Sequence, residues 1–364
     1  MGFPRNDFIT TARAQGHSEG FIRDALQYAD NLERRGLPVI FDAKHLAFIL
    51  NMSPRYFYVF TDEASEFYKY FAIKKRSRGL RRIMAPYENL KEIQLWIKTN
   101  ILDKIDQPRC VMAFAQGRSI LMNAKEHEGR KFVLKMDISN FFESIDARMV
   151  YKAFRRMGYE GNVAVCLTKL CTAKITKYRY ESLEEQPEVQ QLFDNLRNKA
   201  VPFLIQGAPT SPSLANIICE KMDKRMKGLA DKLGCTYTRY ADDMTFSADD
   251  RHCLPKVGMI KKIVASEGFR INDKKTELLH EGNKQMVTGL LVDGHVRVPG
   301  HYKRDIMRHI RFCQKYGGRS HFNHIAPNKT FGREWLLGRI NFVKSVEPNV
   351  ATRMMEEFKK IEWM

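Results

Sequence analysis

The chain has 364 residues, is 44% hydrophobic and carries 61 Lys+Arg against 42 Asp+Glu, a formal net charge of +19. That length and apolar content can bury a sizeable core, which excludes a disordered chain, and no apolar run reaches membrane-spanning length. The positive balance points to a polyanionic partner, nucleic acid first.

The seven cysteines, at 110, 166, 171, 219, 235, 253 and 313, form no Cys-x-x-Cys pair and follow no secretory signal. Free thiols in a soluble, cytoplasmic protein are expected, with no membrane partner. His321 and His324 have no cysteine or carboxylate beside them to complete a zinc site, so both are expected at the surface or against nucleic acid.

In chain order, Phe21, Ile22, Leu26, Ala29 and Leu32 fall at helical spacing and the run stops at Gly36, which predicts an amphipathic helix over 18–35. From Tyr68 the pattern is a strand, then the basic loop Lys74-Lys75-Arg76-Ser77-Arg78-Gly79-Leu80-Arg81-Arg82, then a second strand ending at Pro86. A helix with Leu90, Ile93, Ile97, Ile101 and Ile105 on one face follows. Residues 132–137 form a compact apolar strand ending on Asp137. Residues 150–205 read as helical, with an exposed acidic insert at 181–188.

Gln206-Gly207-Ala208-Pro209-Thr210-Ser211-Pro212 is a sharp loop, and Ser211 as N-cap with Pro212 behind it starts a long helix. That helix runs out before Gly234. Residues 236–240 and 244–247 then read as a hairpin with Asp242 and Asp243 at its tip. Val257, Ile260, Ile263 and Val264 mark a further helix, and 270–279 return as extended chain. Asp293-Gly294 predicts a two-residue hairpin turn between strands at 287–292 and 295–298. From His301 onward the pattern is helical and basic, with Lys303, Arg304, Arg308 and Arg311 on one side. No repeat or long linker interrupts the chain, so it should form one continuous unit.

Adjacent carboxylates repel, and a bound divalent cation is the economical reason to place two at a hairpin tip. Two Mg2+ ions held by converging carboxylates can activate a hydroxyl, stabilise a pentavalent phosphorus and neutralise a phosphate leaving group. Asp137 at a strand end and Asp242 with Asp243 at a hairpin tip would hold such ions if their strands are neighbours.

Tyr240-Ala241-Asp242-Asp243 resembles the catalytic hairpin of reverse transcriptases, and Lys135-Met136-Asp137-Ile138-Ser139-Asn140-Phe141-Phe142 resembles the family's first carboxylate motif. The resemblance covers residues 60 to 300. It implies an α+β right-hand polymerase: an N-terminal helical segment (1–60), fingers (61–130), an RRM-like palm sheet (131–290) with a helical insertion at about 150–205, and a helical thumb (291–364). It implies that Asp137, Asp242 and Asp243 are catalytic metal ligands and that Lys275 protonates departing pyrophosphate. Lys75, Arg81, Phe142 and Gln206 would bind the dNTP, with Phe142 as the steric gate that excludes a ribonucleotide. Arg82 or Arg78 are alternatives to Arg81.

Asn123-Ala124-x-x-His127 before the first carboxylate motif and Val287-Thr288-Gly289 after the palm resemble the signatures of retron reverse transcriptases. On that resemblance Asn123, His127, Val287, Thr288 and Gly289 contact RNA. The partners implied are a cognate structured non-coding RNA and its RNA–DNA hybrid, dNTPs and an effector protein in phage defence. Two other readings share parts of this pattern. One is another bacterial reverse transcriptase, of intron-derived or abortive-infection type, against which the two signatures argue. The other is a scaffold that holds a hybrid to restrain a toxic effector, against which the intact carboxylate set argues.

Overall fold

A computed structural model describes residues 3–75, 79–325 and 331–363 of the chain. Four helices open it: α1 (Arg5–Ala14), α2 (Glu19–Glu33), α3 (Ala43–Ile49) and α4 (Pro54–Asp62). The last three start where a side-chain oxygen is at hand. Ser18, Asp42 and Ser53 accept from the backbone N–H of Phe21, His45 and Tyr56, which satisfies donors that the first turn leaves open.

The basic hairpin follows as β1 (Tyr68–Lys74) and β2 (Leu80–Pro86), paired antiparallel with Tyr68 opposite Pro86 and Lys74 opposite Leu80. Arg76, Ser77 and Arg78 of its loop lie outside the described residues. Next come α5 (Glu88–Asn100), the short α6 (Ile120–Lys125) and β3 (Phe132–Asp137). The stretch read as helical holds α7 (Phe141–Ser144), α8 (Ala147–Met157), α9 (Gly161–Cys171), α10 (Lys177–Glu181), α11 (Pro187–Gln191) and α12 (Asp194–Arg197), with a small ladder of β4 (Thr172–Ala173) and β5 (Phe203–Leu204).

The long helix is α13 (Ser211–Leu233). Its N-cap position is Thr210 rather than Ser211, and no side chain caps it; Gly234 ends it at φ 74°. The carboxylate hairpin is β6 (Thr236–Tyr240) and β7 (Asp243–Ala248), followed by α14 (Val257–Ser266) and β8 (Glu277–His280).

The Asp-Gly hairpin is a correction. The two-residue turn sits one step earlier, at Thr288-Gly289 between β9 (Met286–Val287) and β10 (Leu290–Leu291), with φ 47° and 84° at the two turn residues. Asp293 and Gly294 lie in a wider loop that an isolated bridge between Leu291 and Arg297 closes. The chain finishes with α15 (Gly300–Tyr316), α16 (Gly318–Ile325), α17 (Gly332–Lys344) and α18 (Pro348–Lys359).

A four-stranded antiparallel sheet, in the order β6-β7-β3-β8, lies at the centre. Strand periodicity sorts its two faces. Leu134, Met136, Tyr237, Met244 and Phe246 point into one hydrophobic core shared with α13, the N-terminal helices and the basic hairpin. The opposite face carries Asp137, Asp243, Thr238 and Ser247, and at its far end Val133 enters a second core. That second core joins Ala124, Val287, Leu290 and the apolar sides of the C-terminal helices. All seven cysteines are free thiols. No helix among the described residues is long and apolar enough to cross a membrane.

Candidate active site

Antiparallel register sets Asp137 of β3 directly opposite Asp243 of β7. Tyr240 pairs with Asp243, so Ala241 and Asp242 make a two-residue turn, with Ala241 at φ 58°. The Ile138 N–H donates to the Asp242 carbonyl at 3.0 Å, which ties the tip to the end of β3. Three carboxylates thereby share one edge of the sheet.

Burial and like charge both act on the two hairpin carboxyls. Burial, then the charges of Asp243 and Asp137, push the Asp242 carboxyl up to about 6. Burial and Asp137 also raise Asp243. Lys275 Nζ stands 2.6 Å from Asp137 Oδ2. Burial works to lower this ammonium's pKa, but its hydrogen bond to Asp137 and the three carboxylate charges outweigh that and raise it. Asn272, which the sequence pattern did not single out, donates from its backbone to the Asp137 carbonyl at 2.8 Å and from Nδ2 to Asp137 Oδ1 at 3.4 Å.

Among the described residues no three acidic, histidine or cysteine groups close into a preformed metal cage. An open, oxygen-only face suits Mg2+, which keeps waters and substrate phosphates in its shell. Asp137, Asp242 and Asp243 fit such an ion by donor type, and a cation would relieve the repulsion between them.

A second group missed in the sequence lies beneath the tip. Arg239 and Asp223 are both fully buried, and the guanidinium grips the carboxylate through Nε–Oδ1 at 2.8 Å and Nη2–Oδ2 at 2.7 Å. Tyr237 Oη also donates to Asp223, at 2.9 Å. Arg239 Nη1 reaches the Ala241 carbonyl at 2.9 Å and Asn216 Oδ1 at 3.1 Å. Burial opposes the guanidinium charge, but Asp223 overcomes this and keeps it charged. The pair thus bolts the strained residue before Asp242 to α13. A signal was available: Asp223 interrupts the apolar face of α13, and Arg239 sits inside a strand.

Three of the four expected nucleotide-binding groups lie on two elements stitched together, the basic hairpin and the 206–212 loop. Gln206 accepts from the Met84 N–H at 3.0 Å, joining its loop to β2. Only glycine allows this approach at 207, because a Cβ there would lie 2.5 Å from the Met84 carbonyl and φ is 126°. Arg81 and Lys75 are exposed on the basic hairpin. Arg82 is not free to replace Arg81, since it pairs with the buried Glu143 at 2.8 Å and donates to the Leu192 carbonyl. Phe142, next to Glu143, is half-buried, with its ring 5.4 Å from that of Phe141.

Two of the signature residues are buried, Asn123 at 1% and His127 at 0% exposure. His127 lies 2.7 Å from both Ser247 Oγ and Thr238 Oγ1, and burial pushes its imidazole down to about 3, so it is neutral. Asn123 Oδ1 accepts from Thr238 Oγ1 at 2.6 Å. Val287 is buried too, while Gly289 is exposed at the turn and Thr288 is partly so.

The basic side of α15 also departs from expectation. Lys303 is held by Glu347 at 2.8 Å and Arg308 by Asp305, while Arg304 and Arg311 are exposed beside Phe312. His321 is buried against His309, 3.0 Å between ring nitrogens, and is not a surface group.

Comparison with known proteins bears on this arrangement. A family model described as reverse transcriptase (RNA-dependent DNA polymerase) matches residues 73–312. The Retron Ec86 reverse transcriptase of Escherichia coli is 32% identical over 334 residues, covering 91% of this chain and 92% of that protein. The Retron Mx65 reverse transcriptase of Myxococcus xanthus is 35% identical over 360 residues, covering 98% and 79%. Among solved structures, a telomerase from Candida albicans in complex with a TWJ fragment of telomeric RNA aligns over 79% of this chain and 55% of that one, at 13% identity and a TM-score of 0.44.

Proposed function

The chain belongs to the reverse transcriptase family, is of the retron type and is an RNA-directed DNA polymerase; from this premise we propose that it copies a cognate structured non-coding RNA into multicopy single-stranded DNA. Synthesis starts from the 2′-hydroxyl of a guanosine within that RNA and leaves a branched RNA–DNA hybrid. The observation that carries this reading is the register of Asp137 against Asp243, with Asp242 in the adjoining turn.

Two Mg2+ ions held by Asp137, Asp242 and Asp243 would activate the primer hydroxyl and neutralise the leaving pyrophosphate. Lys275, charged and 2.6 Å from Asp137, holds a proton on Nζ at the edge of the site. Arg81 and Lys75 bring charge to the triphosphate from the exposed face of the basic hairpin. Gln206, on a loop anchored to β2, contacts the incoming nucleotide or its template partner. The Phe142 ring closes the space beside the sugar C2′, so the substrate is a dNTP.

In this scheme residues 61–130 act as fingers, 131–290 as palm and 291–364 as thumb. Arg304 and Arg311 on α15, beside Phe312, offer the hybrid a cationic and aromatic surface. The product serves a cytoplasmic anti-phage system in which the hybrid restrains an effector protein. The test is co-expression with the RNA encoded beside the gene. DNA that stays joined to RNA after denaturation, and is freed by a 2′-5′ debranching enzyme, supports the reading; unbranched DNA or none contradicts it.

A further inference from the structure

Helix α6 faces two ways. Its Ala124 is fully buried in the C-terminal core with Val287, Leu290 and Ile306, while Asn123 and, just past the helix end, His127 reach the carboxylate hairpin. His127 bridges the two hairpin strands, through Thr238 on β6 and Ser247 on β7. Asn123 accepts from Thr238 and donates from Nδ2 to Thr288 Oγ1 at 3.4 Å. Thr288 Oγ1 in turn donates to the Ile120 carbonyl of α6 at 3.2 Å.

Thr288 holds a β-branched side chain at φ 47°, where Gly or Asn would be less strained. Its hydroxyl contacts are what Gly would not supply. Two further bonds cross the same junction: Gly129 N–H to the Val292 carbonyl at 2.8 Å, and Val296 N–H to Glu128 Oε1 at 2.6 Å.

We propose that Asn123, His127 and Thr288 are positioning residues, forming a polar seam, buried at Asn123 and His127, that fixes the carboxylate hairpin relative to the root of the C-terminal helices. The inference rests on the polymerase reading and assigns the two signatures to geometry instead of RNA recognition. Thr238 and Ser247 lie on the same sheet face as Asp137 and Asp243. Ser247 is four residues along β7 from Asp243, about 13 Å at strand rise. A hybrid gripped by the C-terminal helices is therefore indexed to the carboxylates through one short helix. Asn123 and His127, buried from water, have no alternative partners there, which favours a single arrangement.

Thr288→Gly tests this without risking the fold, because it removes the hydroxyl while relieving the strained turn; Asn123→Ala is the harsher companion. For Thr288→Gly the melting temperature should hold or rise, and the Kd for the neighbouring RNA should stay within about twofold. Turnover on an annealed DNA primer and on the structured RNA should fall together, by about tenfold, as a misplaced reacting geometry predicts. Hydrogen exchange across residues 236–248 should accelerate, a readout that does not depend on activity. Unchanged exchange, full activity on both substrates, or a loss confined to the structured RNA with weaker binding would each overturn the proposal. Failure of the unmodified chain to extend any primer would fault the polymerase reading, and the exchange measurement would still decide the seam.

Discussion

Asp137 and Asp243 face one another across antiparallel strands, one 5% exposed and the other at the surface. With Asp242 in the adjoining turn, the pair concentrates negative charge at a partly buried edge of the sheet. Stability is given up locally at a donor set that a cation would complete.

That cost has a pH signature. Burial and the neighbouring carboxylates push the folded Asp242 carboxyl up to about 6, against about 3.9 for an unperturbed Asp. Between these values the folded state binds the proton more tightly, so stability is fully present below about pH 4 and is lost as pH rises through about 6. Asp242→Asn should therefore melt above the parent at pH 8, by of order 2 kcal/mol, with the difference vanishing near pH 4. Added Mg2+ should raise the parent's melting temperature at pH 8 more than the variant's. Equal melting curves at pH 8 would show that burial and repulsion impose no such cost on the folded state.

The Arg239–Asp223 pair predicts a different pattern. Arg239→Met leaves a carboxylate buried without its partner and should cost about 3–5 kcal/mol in urea unfolding. Arg239→Met combined with Asp223→Leu should recover most of that stability. It should not recover polymerisation, because the Ala241 carbonyl still lacks its donor. Recovery of both would make the pair a packing feature only.

Phe142→Val should open space beside C2′ and reduce discrimination against ribonucleotides by about 10- to 200-fold, the range for a steric pocket change of this size. The ratio of kcat/KM for dNTP and rNTP on one primer–template measures it. An unchanged ratio with dNTP incorporation retained would place the gate elsewhere.

Binding of the structured RNA should weaken steeply with salt. If about six phosphates are neutralised, the log–log slope lies near −4 to −5, and Arg304→Ala or Arg311→Ala should each flatten it by about 1. Lys303→Ala should flatten it less, since Glu347 already holds that ammonium. A slope near zero would remove this surface from the RNA interface.

The carboxylate hairpin, the strand ending on Asp137 and the long helix before Gly234 were legible because local signals agree there: alternation, a turn and a stop. The Thr288-Gly289 turn was not, because Thr at positive φ is rare and Asp293-Gly294 is the stronger local signal. Asn123 and His127 were expected to contact RNA on resemblance, and the partners that bury them, Thr238 and Ser247, lie more than a hundred residues away. Nothing nearby in sequence distinguishes a histidine satisfied by two distant hydroxyls from one offered to RNA. Arg82 and Arg81 look alike in sequence, and only Glu143 across the fold separates them.

The most direct test of the central claim is extension of a labelled DNA primer on an RNA template with dNTPs and Mg2+, comparing the parent chain with Asp242→Asn. The parent should add nucleotides, and the variant should fold and bind RNA as the parent does yet fall in rate by about a thousandfold or more, the scale of a lost charge-stabilising group. Extension by Asp242→Asn at the parent's rate would contradict the assignment of Asp137, Asp242 and Asp243 as the catalytic centre.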